Sequence, residues 1–312
     1  MKIFRKWRVL TLGGILCFAT VGHAQEAQSE IEHSRQLLRG QMELKLQEME
    51  VITGGDVSED LGEQILVRRK PQPWTLTLAA DAGGLWTSNV FLVDGGPTSD
   101  FALAHNDSAT FTYKFTDEFS FSSNYRFTRF RYKRLIIQDF DSHNVGGTFN
   151  YTLPYQINLY TGLQWTGIHS RPVNDFVYDE VDWTIGANKV FPLDFADWMK
   201  DRAAWFVGYQ TDVRVASPND FDKVEVSPYT GFSYLVNPKM TLQTFYRWQY
   251  QHFQKGGRKD YNNSVTSTLT WSPFEWMSLS AFCGYTYNNS VGTTRDYAVF
   301  NTGSTLRFSW KF

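Results

Sequence analysis

The sequence predicts an all-β fold, an antiparallel up-and-down transmembrane β-barrel of about 12 strands with a short N-terminal helical periplasmic segment. Three observations predict it. The chain begins with a secretory leader, alternates apolar and polar residues from Trp74 onward, and ends at Phe312 directly after an aromatic strand. Alternation at period two is typical of strands with two unlike faces. Such strands cross a membrane without any long apolar run.

Residues 1–24 have the composition of a cleaved signal peptide. A basic region spans residues 2–8, an apolar run follows over 9–21, and Gly22-His23-Ala24 offers a small-x-small cleavage site. The apolar run is too short to span a bilayer as a helix, which needs about 20 residues. Leu16 before Cys17 argues against a lipoprotein. We therefore expect export through the inner membrane and removal of this segment.

Composition and charge exclude several classes of partner and site. Cleavage would leave one cysteine, Cys283, so no intramolecular disulfide is predicted. Removing four positive charges from a chain of net charge −2 leaves the mature chain near −6, which gives no electrostatic reason to bind nucleic acid. No C-x-x-C motif or His/Cys cluster has metal-ligand spacing, so we expect no metal and no cofactor.

Residues 25–73 differ in texture from the rest of the mature chain. Residues 25–50 are polar and helix-forming, with a narrow apolar stripe that Gly40 interrupts. Residues 53–73 contain a glycine pair, an acidic cluster, a basic cluster and two prolines, which is typical of a linker. We interpret 25–73 as a periplasmic helix and linker whose residues 25–50 could bind a periplasmic protein.

Residues 74–312 contain 12 alternating segments whose lengths suit tilted membrane-spanning strands, which need about 9–11 residues. Their approximate bounds are 74–88, 103–115, 118–131, 143–153, 157–169, 179–191, 203–215, 223–236, 239–252, 262–272, 276–288 and 299–312. The connections alternate as well. Short turns such as 115–118 and 236–239 alternate with long polar segments such as 131–144 and 169–180. Bacterial barrels sort their periplasmic turns and exterior loops in this way.

The two faces of each segment predict which side meets lipid. The ninth segment places Leu242 and Tyr246 on one face and Arg247 and Gln249 on the other. Because the polar faces are repeatedly charged and the apolar faces are large and aromatic, we expect an apolar exterior and a wet interior. Aromatic residues near the segment ends predict girdles at the two membrane interfaces.

Inward parity yields the candidate pore-lining residues. They are Lys114, Arg126, Asp182, Asp212, Arg214, Glu225, Arg247, Gln249 and Arg307. Mixed charge leaves two alternatives open, since an ion-pair ladder could fill the barrel or charged groups could line a pore. Twelve strands lie between eight, which side chains fill, and sixteen, which enclose a channel.

The C-terminal strand resembles the β-signal of bacterial outer-membrane proteins, which the barrel-assembly machinery reads. Its matching residues are Asn301, Gly303, Leu306, Phe308, Trp310 and Phe312. Residues 74–312 resemble porin-like outer-membrane β-barrels. Residues 81–91 (DAGGLWTSNVF) and the following ALAHNDSATFTYKF resemble the first hairpins of barrels found beside exopolysaccharide export genes. The resemblance implies residence in the outer membrane and contact with its lipid and lipopolysaccharide.

Three functions remain open from the sequence. The first is a porin-like channel for small hydrophilic solutes, either mildly anion-preferring or oligosaccharide-conducting. The second is a non-conducting structural or export-associated barrel whose N-terminal segment binds a periplasmic partner. The third, an outer-membrane enzyme, is disfavoured because the chain has no G-x-S-x-G motif and its mature histidines lie in or near predicted loops or in the N-terminal helix. We therefore predict that the protein is not an enzyme.

Overall fold

The computed structural model describes residues 72–172, 175–291 and 296–312. The predicted signal peptide at 1–24, the predicted helix at 25–50 and nearly all of the predicted linker lie outside these ranges. The first strand begins at Trp74, where the alternating texture of the sequence begins.

Twelve strands make up the described part of the chain, as the sequence predicts. They are β1 (Trp74–Thr87), β2 (Asp100–Lys114), β3 (Phe119–Tyr132), β4 (Phe140–Leu153), β5 (Ile157–Ser170), β6 (Asp175–Leu193), β7 (Ala203–Ser217), β8 (Lys223–Asn237), β9 (Met240–Phe253), β10 (Lys259–Phe274), β11 (Met277–Val291) and β12 (Tyr297–Lys311). Short 3-10 helices at Ile136–Gln138, Pro154–Gln156 and Asn219–Phe221 lie in the connections.

Each strand pairs antiparallel with its sequence neighbours, and β1 pairs with β12 to close the barrel. Phe312 extends this seam, since its N–H donates to the Leu76 carbonyl at 2.9 Å. A Cβ added at Gly303 would lie 2.3 Å from the Gly84 carbonyl oxygen, so this position at the seam requires glycine. Closure removes the exposed edges that an open sheet would present. The predicted closed up-and-down topology is confirmed.

The barrel has a turn end and a loop end. The turn end carries the connections 115–118 and 238–239 and the C-terminus, whereas the loop end carries 88–99 and 133–139. The loop-end connections are shorter than the sequence pattern predicts. β6, for example, begins at Asp175 rather than near 179. Backbone pairing continues into these polar segments because a ladder hydrogen bond does not depend on side-chain polarity.

The two faces of the barrel have the predicted polarity. On β9, Leu242 and Tyr246 point outward and are 36% and 43% exposed, whereas Arg247 and Gln249 point inward and are 2% exposed. Aromatic rings stack in rows at the turn end, as in Trp276 on Phe308 with ring centroids 6.0 Å apart. The outer surface is therefore an apolar band with an aromatic border.

None of the helices within the described ranges has the length and apolar character needed to cross a membrane.

Candidate functional site: the barrel lumen

A packed charged network fills the loop-end half of the lumen along β6–β10. At its centre, Glu225 is completely buried. Its carboxylate accepts hydrogen bonds from Lys223 Nζ at 3.0 Å, Ser227 Oγ at 3.1 Å, Gln251 Nε2 at 3.0 Å and the Gln249 amide. A buried carboxylate is stable only when its lone pairs are filled in this way. The network therefore behaves as a fixed wall of the lumen.

The same wall continues through β6 and β7. Arg214 lies 3.3 Å from Asp182 and 3.8 Å from Glu180, both across the strand pair. Asp212 accepts hydrogen bonds from Thr184 Oγ1 at 2.7 Å and from the Gln210 amide. Much of the charge that the sequence assigned to the pore is thus neutralised in place by neighbouring strands.

Apolar side chains fill the opposite side of the loop end. Inward-facing residues of β2–β5 form a cluster with Val90 from the connection between β1 and β2. Its buried members are Val90, Ala102, Phe130, Tyr132, Phe140 and Ile168. The connection is fastened by Asn89, whose amide donates to the Val93 carbonyl at 2.8 Å and to the Ala298 carbonyl at 3.1 Å. Asn89, Val90 and Leu92 of this connection are therefore packed into the mouth of the barrel, whereas residues 93–97 are exposed.

A cavity of about 140 Å³ remains between the charged wall and the apolar cluster. It is bounded by β1–β3 on one side and β9–β12 on the other. Its polar lining is mainly hydroxyl and amide groups, from Asn89, Asn106, Thr128, Gln249, Asn262, Ser264, Thr266, Thr268, Thr286, Tyr297 and Asn301, with Arg247 as its one charged member. In the loop-end half, the charged wall and the apolar cluster therefore leave this small cavity between them.

The turn-end half of the lumen is wider along β1–β5. Inward-facing Thr77, Thr110 and Ser122 are only partly buried although the barrel is closed around them. Their partial exposure shows that solvent reaches them from inside the barrel. Over the described residues, the Arg126 side chain in this region has neither an ion pair nor a hydrogen bond.

Solved structures that are similar to the chain include several outer-membrane barrels. An outer membrane channel from Pseudomonas putida F1 superposes with a TM-score of 0.50 at 10% identity, over 80% of this chain and 99% of that one.

The fold is that of a porin-like outer-membrane β-barrel.

Two other similar structures superpose less closely. The KdgM porin in complex with disordered oligogalacturonate gives a TM-score of 0.41 at 9% identity, over 74% of this chain and 99% of that one. The β domain of the Bordetella autotransporter BrkA gives 0.43 at 10% identity, over 75% and 99%. Neither a protein-family model nor a curated protein sequence matches the chain.

All nine predicted pore-lining residues lie on inward-facing positions of the barrel. The structure brings some of them into direct contact, such as Asp182 with Arg214 and Glu225 with Gln249. Arg247 and Gln249 line the cavity. Whether any of the nine lines a conducting path stays a prediction.

Three sets of lumen residues in the structure were not predicted from the sequence. Lys223 sits two residues before Glu225 on the same face, so strand parity alone could have found it. Asn89 and Val90 lie in a connection, where no periodic pattern indicates an inward fold. The inward aromatic residues Phe206 and Phe245 stack in the turn-end half, and their parity was visible in the sequence.

Among the described residues, no group of three or more His, Cys, Asp or Glu side chains could hold a metal ion. The described histidines of β2, β4 and β5 occupy outward-facing positions, away from the lumen. The prediction that the protein is not an enzyme remains a prediction.

Proposed function

We propose that the barrel is a porin-like channel that conducts small hydrophilic solutes across the outer membrane. The observation that carries this proposal is the set of inward-facing polar groups, which are partly exposed to solvent along β1–β5 and continue into the cavity, where hydroxyl and amide groups lie beside apolar side chains. A barrel that served only as an anchor would have no need to keep inward-facing hydroxyl groups wet. In the outer membrane, the loop end would face the exterior and the turn end the periplasm.

The lining favours uncharged polar solutes such as short saccharides over a strict ion filter. Hydroxyl and amide groups both donate and accept hydrogen bonds, so they replace the water around a sugar hydroxyl. The charges of the network are largely paired within the wall, as in Glu225 with Lys223 and Arg214 with Asp182. Arg126 adds a free positive charge in the wider half, which supports a mild preference for anions.

Purified mature protein in planar bilayers and in liposomes tests this function. We expect discrete conductance steps and liposome swelling in small neutral sugars, with the swelling rate falling steeply as the sugar grows from one ring to several. The steep size dependence follows from the narrow loop-end half of the lumen. Unfolded protein added at the same concentration serves as the control for leaks. A folded barrel that gives neither conductance nor swelling, both as the mature protein and after deletion of residues 25–70, would refute a channel.

The alternative function is a structural or export-associated barrel, and the same assay separates it from a channel. Silence that persists after residues 25–70 are deleted would favour the structural function, because a plug formed by that segment would then be gone. The partners that we propose for the chain follow from its expected outer-membrane location and from its N-terminal segment. They are outer-membrane lipid and lipopolysaccharide, the barrel-assembly machinery and a periplasmic protein at residues 25–50.

A further inference from the structure

Three arginines surround one carboxylate on the outer face of the barrel at the loop end of β3–β5. Asp141 is 4% exposed although it occupies an outward-facing position of β4. Its Oδ1 lies 2.8 Å from Arg131 Nη2 and 3.7 Å from Arg129 Nε, and its Oδ2 contacts Arg171 Nη2. We call Arg129, Arg131, Arg171 and Asp141 the rim cluster.

The position of the rim cluster matches the boundary between acyl chains and headgroups. Along the outward face of β3, aromatic residues occur from Phe119 to Phe127, and the charged Arg129 and Arg131 follow at the loop end of the strand. The Arg129 guanidinium lies over the Phe127 ring, 5.6 Å from its centroid. Aromatic side chains mark the interfacial level of a membrane barrel. The guanidiniums therefore lie closer to the loop end than the outward aromatic residues of β3, at the level where lipid headgroups begin.

The rim cluster carries a net positive charge that its own carboxylate does not cancel. One carboxylate faces three guanidiniums, and arginine remains charged at any ordinary pH. Asp139 is the nearest further acidic group, in the connection before β4, and it accepts a hydrogen bond from the Tyr132 N–H at 2.8 Å. Burial raises the pKa of Asp139, which disfavours its charged form. Even with both carboxylates charged, the three guanidiniums outnumber them, so the net charge stays positive.

The three arginines divide into a fixed member and two available ones. Arg131 donates to the carbonyls of Phe130 and Phe140 at 2.7 and 2.9 Å as well as to Asp141. Arg129 and Arg171 are 48% and 43% exposed, and each contacts Asp141 through one guanidinium nitrogen. Each guanidinium has five N–H donors in a planar fork. Asp141 thus holds the guanidinium groups of Arg129 and Arg171, whose other N–H donors remain available at the outer surface.

We propose that the rim cluster binds a phosphate group of the phosphorylated glycolipid in the outer leaflet. A guanidinium fork matches two phosphate oxygens, and charge-assisted bonds of this kind are about twice as strong as neutral ones. Asp141 holds the forks in place before the lipid arrives, which lowers the entropic cost of binding. The proposal requires the outer-membrane placement of the barrel but does not depend on whether the barrel conducts.

The test is a titration of the purified, folded full-length mature protein in detergent with bisphosphorylated lipid A, followed by tryptophan fluorescence. We expect Arg129→Gln/Arg171→Gln to weaken binding at least about tenfold, the scale of losing one charge-assisted hydrogen bond. Arg126→Gln is the matched control, since it removes a guanidinium from the same strand on the lumen side. Both Gln variants keep Arg131 and Asp141, so the core of the rim cluster is preserved.

A second arm uses the wild-type protein alone and does not depend on the folding of any variant. Enzymatically dephosphorylated lipid A should bind at least about tenfold more weakly than the bisphosphorylated form. Inorganic phosphate at the same concentration should not bind. The proposal is overturned if the double variant binds lipid A like the wild type. It is also overturned if removing the lipid phosphates changes nothing, or if free phosphate binds as tightly as the lipid.

Discussion

Replacing Leu163 by arginine should destabilise the folded barrel by about 2–4 kcal/mol, the usual cost of an arginine on the lipid face at mid-depth. Leu163 lies midway along β5, points outward and is 57% exposed on the bare barrel. Its cross-strand neighbours are Gly147 and Trp183, neither of which carries a charge that could pair with the new guanidinium. The guanidinium would have to reach along half the apolar band to find water.

The matched control is Gln164→Arg, which places the same side chain at the same depth on the opposite face. Gln164 is exposed toward the lumen, and its neighbour on β6 is Asp182. We expect a change within about 0.5 kcal/mol, as for an exposed polar site. Denaturant titration of the barrels in lipid vesicles, followed by tryptophan fluorescence, measures both. A difference of about 2 kcal/mol corresponds to a roughly 30-fold change in the unfolding equilibrium. Equal costs, or a larger cost at Gln164, would refute the assignment of the outer face to lipid.

Three further predictions concern assembly, ion preference and the mouth of the barrel. Deleting Phe312 should lower the amount of folded protein in washed outer membranes, because its backbone closes the seam with β1; unchanged amounts would contradict an assembly role. Arg126→Glu should shift the reversal potential in a salt gradient toward cation preference, and Arg126→Gln should give an intermediate shift, because the Arg126 guanidinium has no ion pair among the described residues. An unchanged reversal potential in the Arg126→Glu variant would mean that Arg126 does not line the conducting path. Asn89→Ala removes three hydrogen bonds, one to the Ala298 carbonyl of β12 and two with Val93 inside the connection, each worth about 1 kcal/mol, and should raise single-channel conductance; the same conductance in a folded variant would mean that this connection does not restrict the pore.

Gln249 shows what alternation along a strand can predict and what it cannot. Alternation along β9 correctly places Gln249 toward the lumen, and by parity alone an arginine there looks harmless. In the structure Gln249 is 2% exposed, and its amide donates to the buried Glu225. An added positive charge would have to be packed beside Arg247 in the same wall. Gln164 also faces the lumen but is exposed, so it is the better control.

The pairing of charges shows a second limit. From one strand, Asp212 and Arg214 seem matched because they share a face. The closed sheet also places Asp182 and Glu180 of β6 within 4 Å of Arg214, and Thr184 and the Gln210 amide within hydrogen-bond distance of Asp212. Cross-strand neighbours depend on register, which period-two alternation along a single strand leaves open. Reversing the charge of Arg214 or Arg247 would therefore disrupt the buried network, so a change in ion preference could not be assigned to the pore lining.

The sequence by itself determined the strand number, the two faces and the order of the barrel. These follow from period-two alternation and from the requirement that every backbone group in a bilayer be paired, which only a closed sheet of such strands satisfies. The tertiary structure decided which inward charges meet, that Val90 and Asn89 fold into the mouth, and that Arg129, Arg131 and Arg171 converge on Asp141. Those contacts join residues on different strands and loops. Their distances depend on register and closure, which local patterns in the chain do not encode.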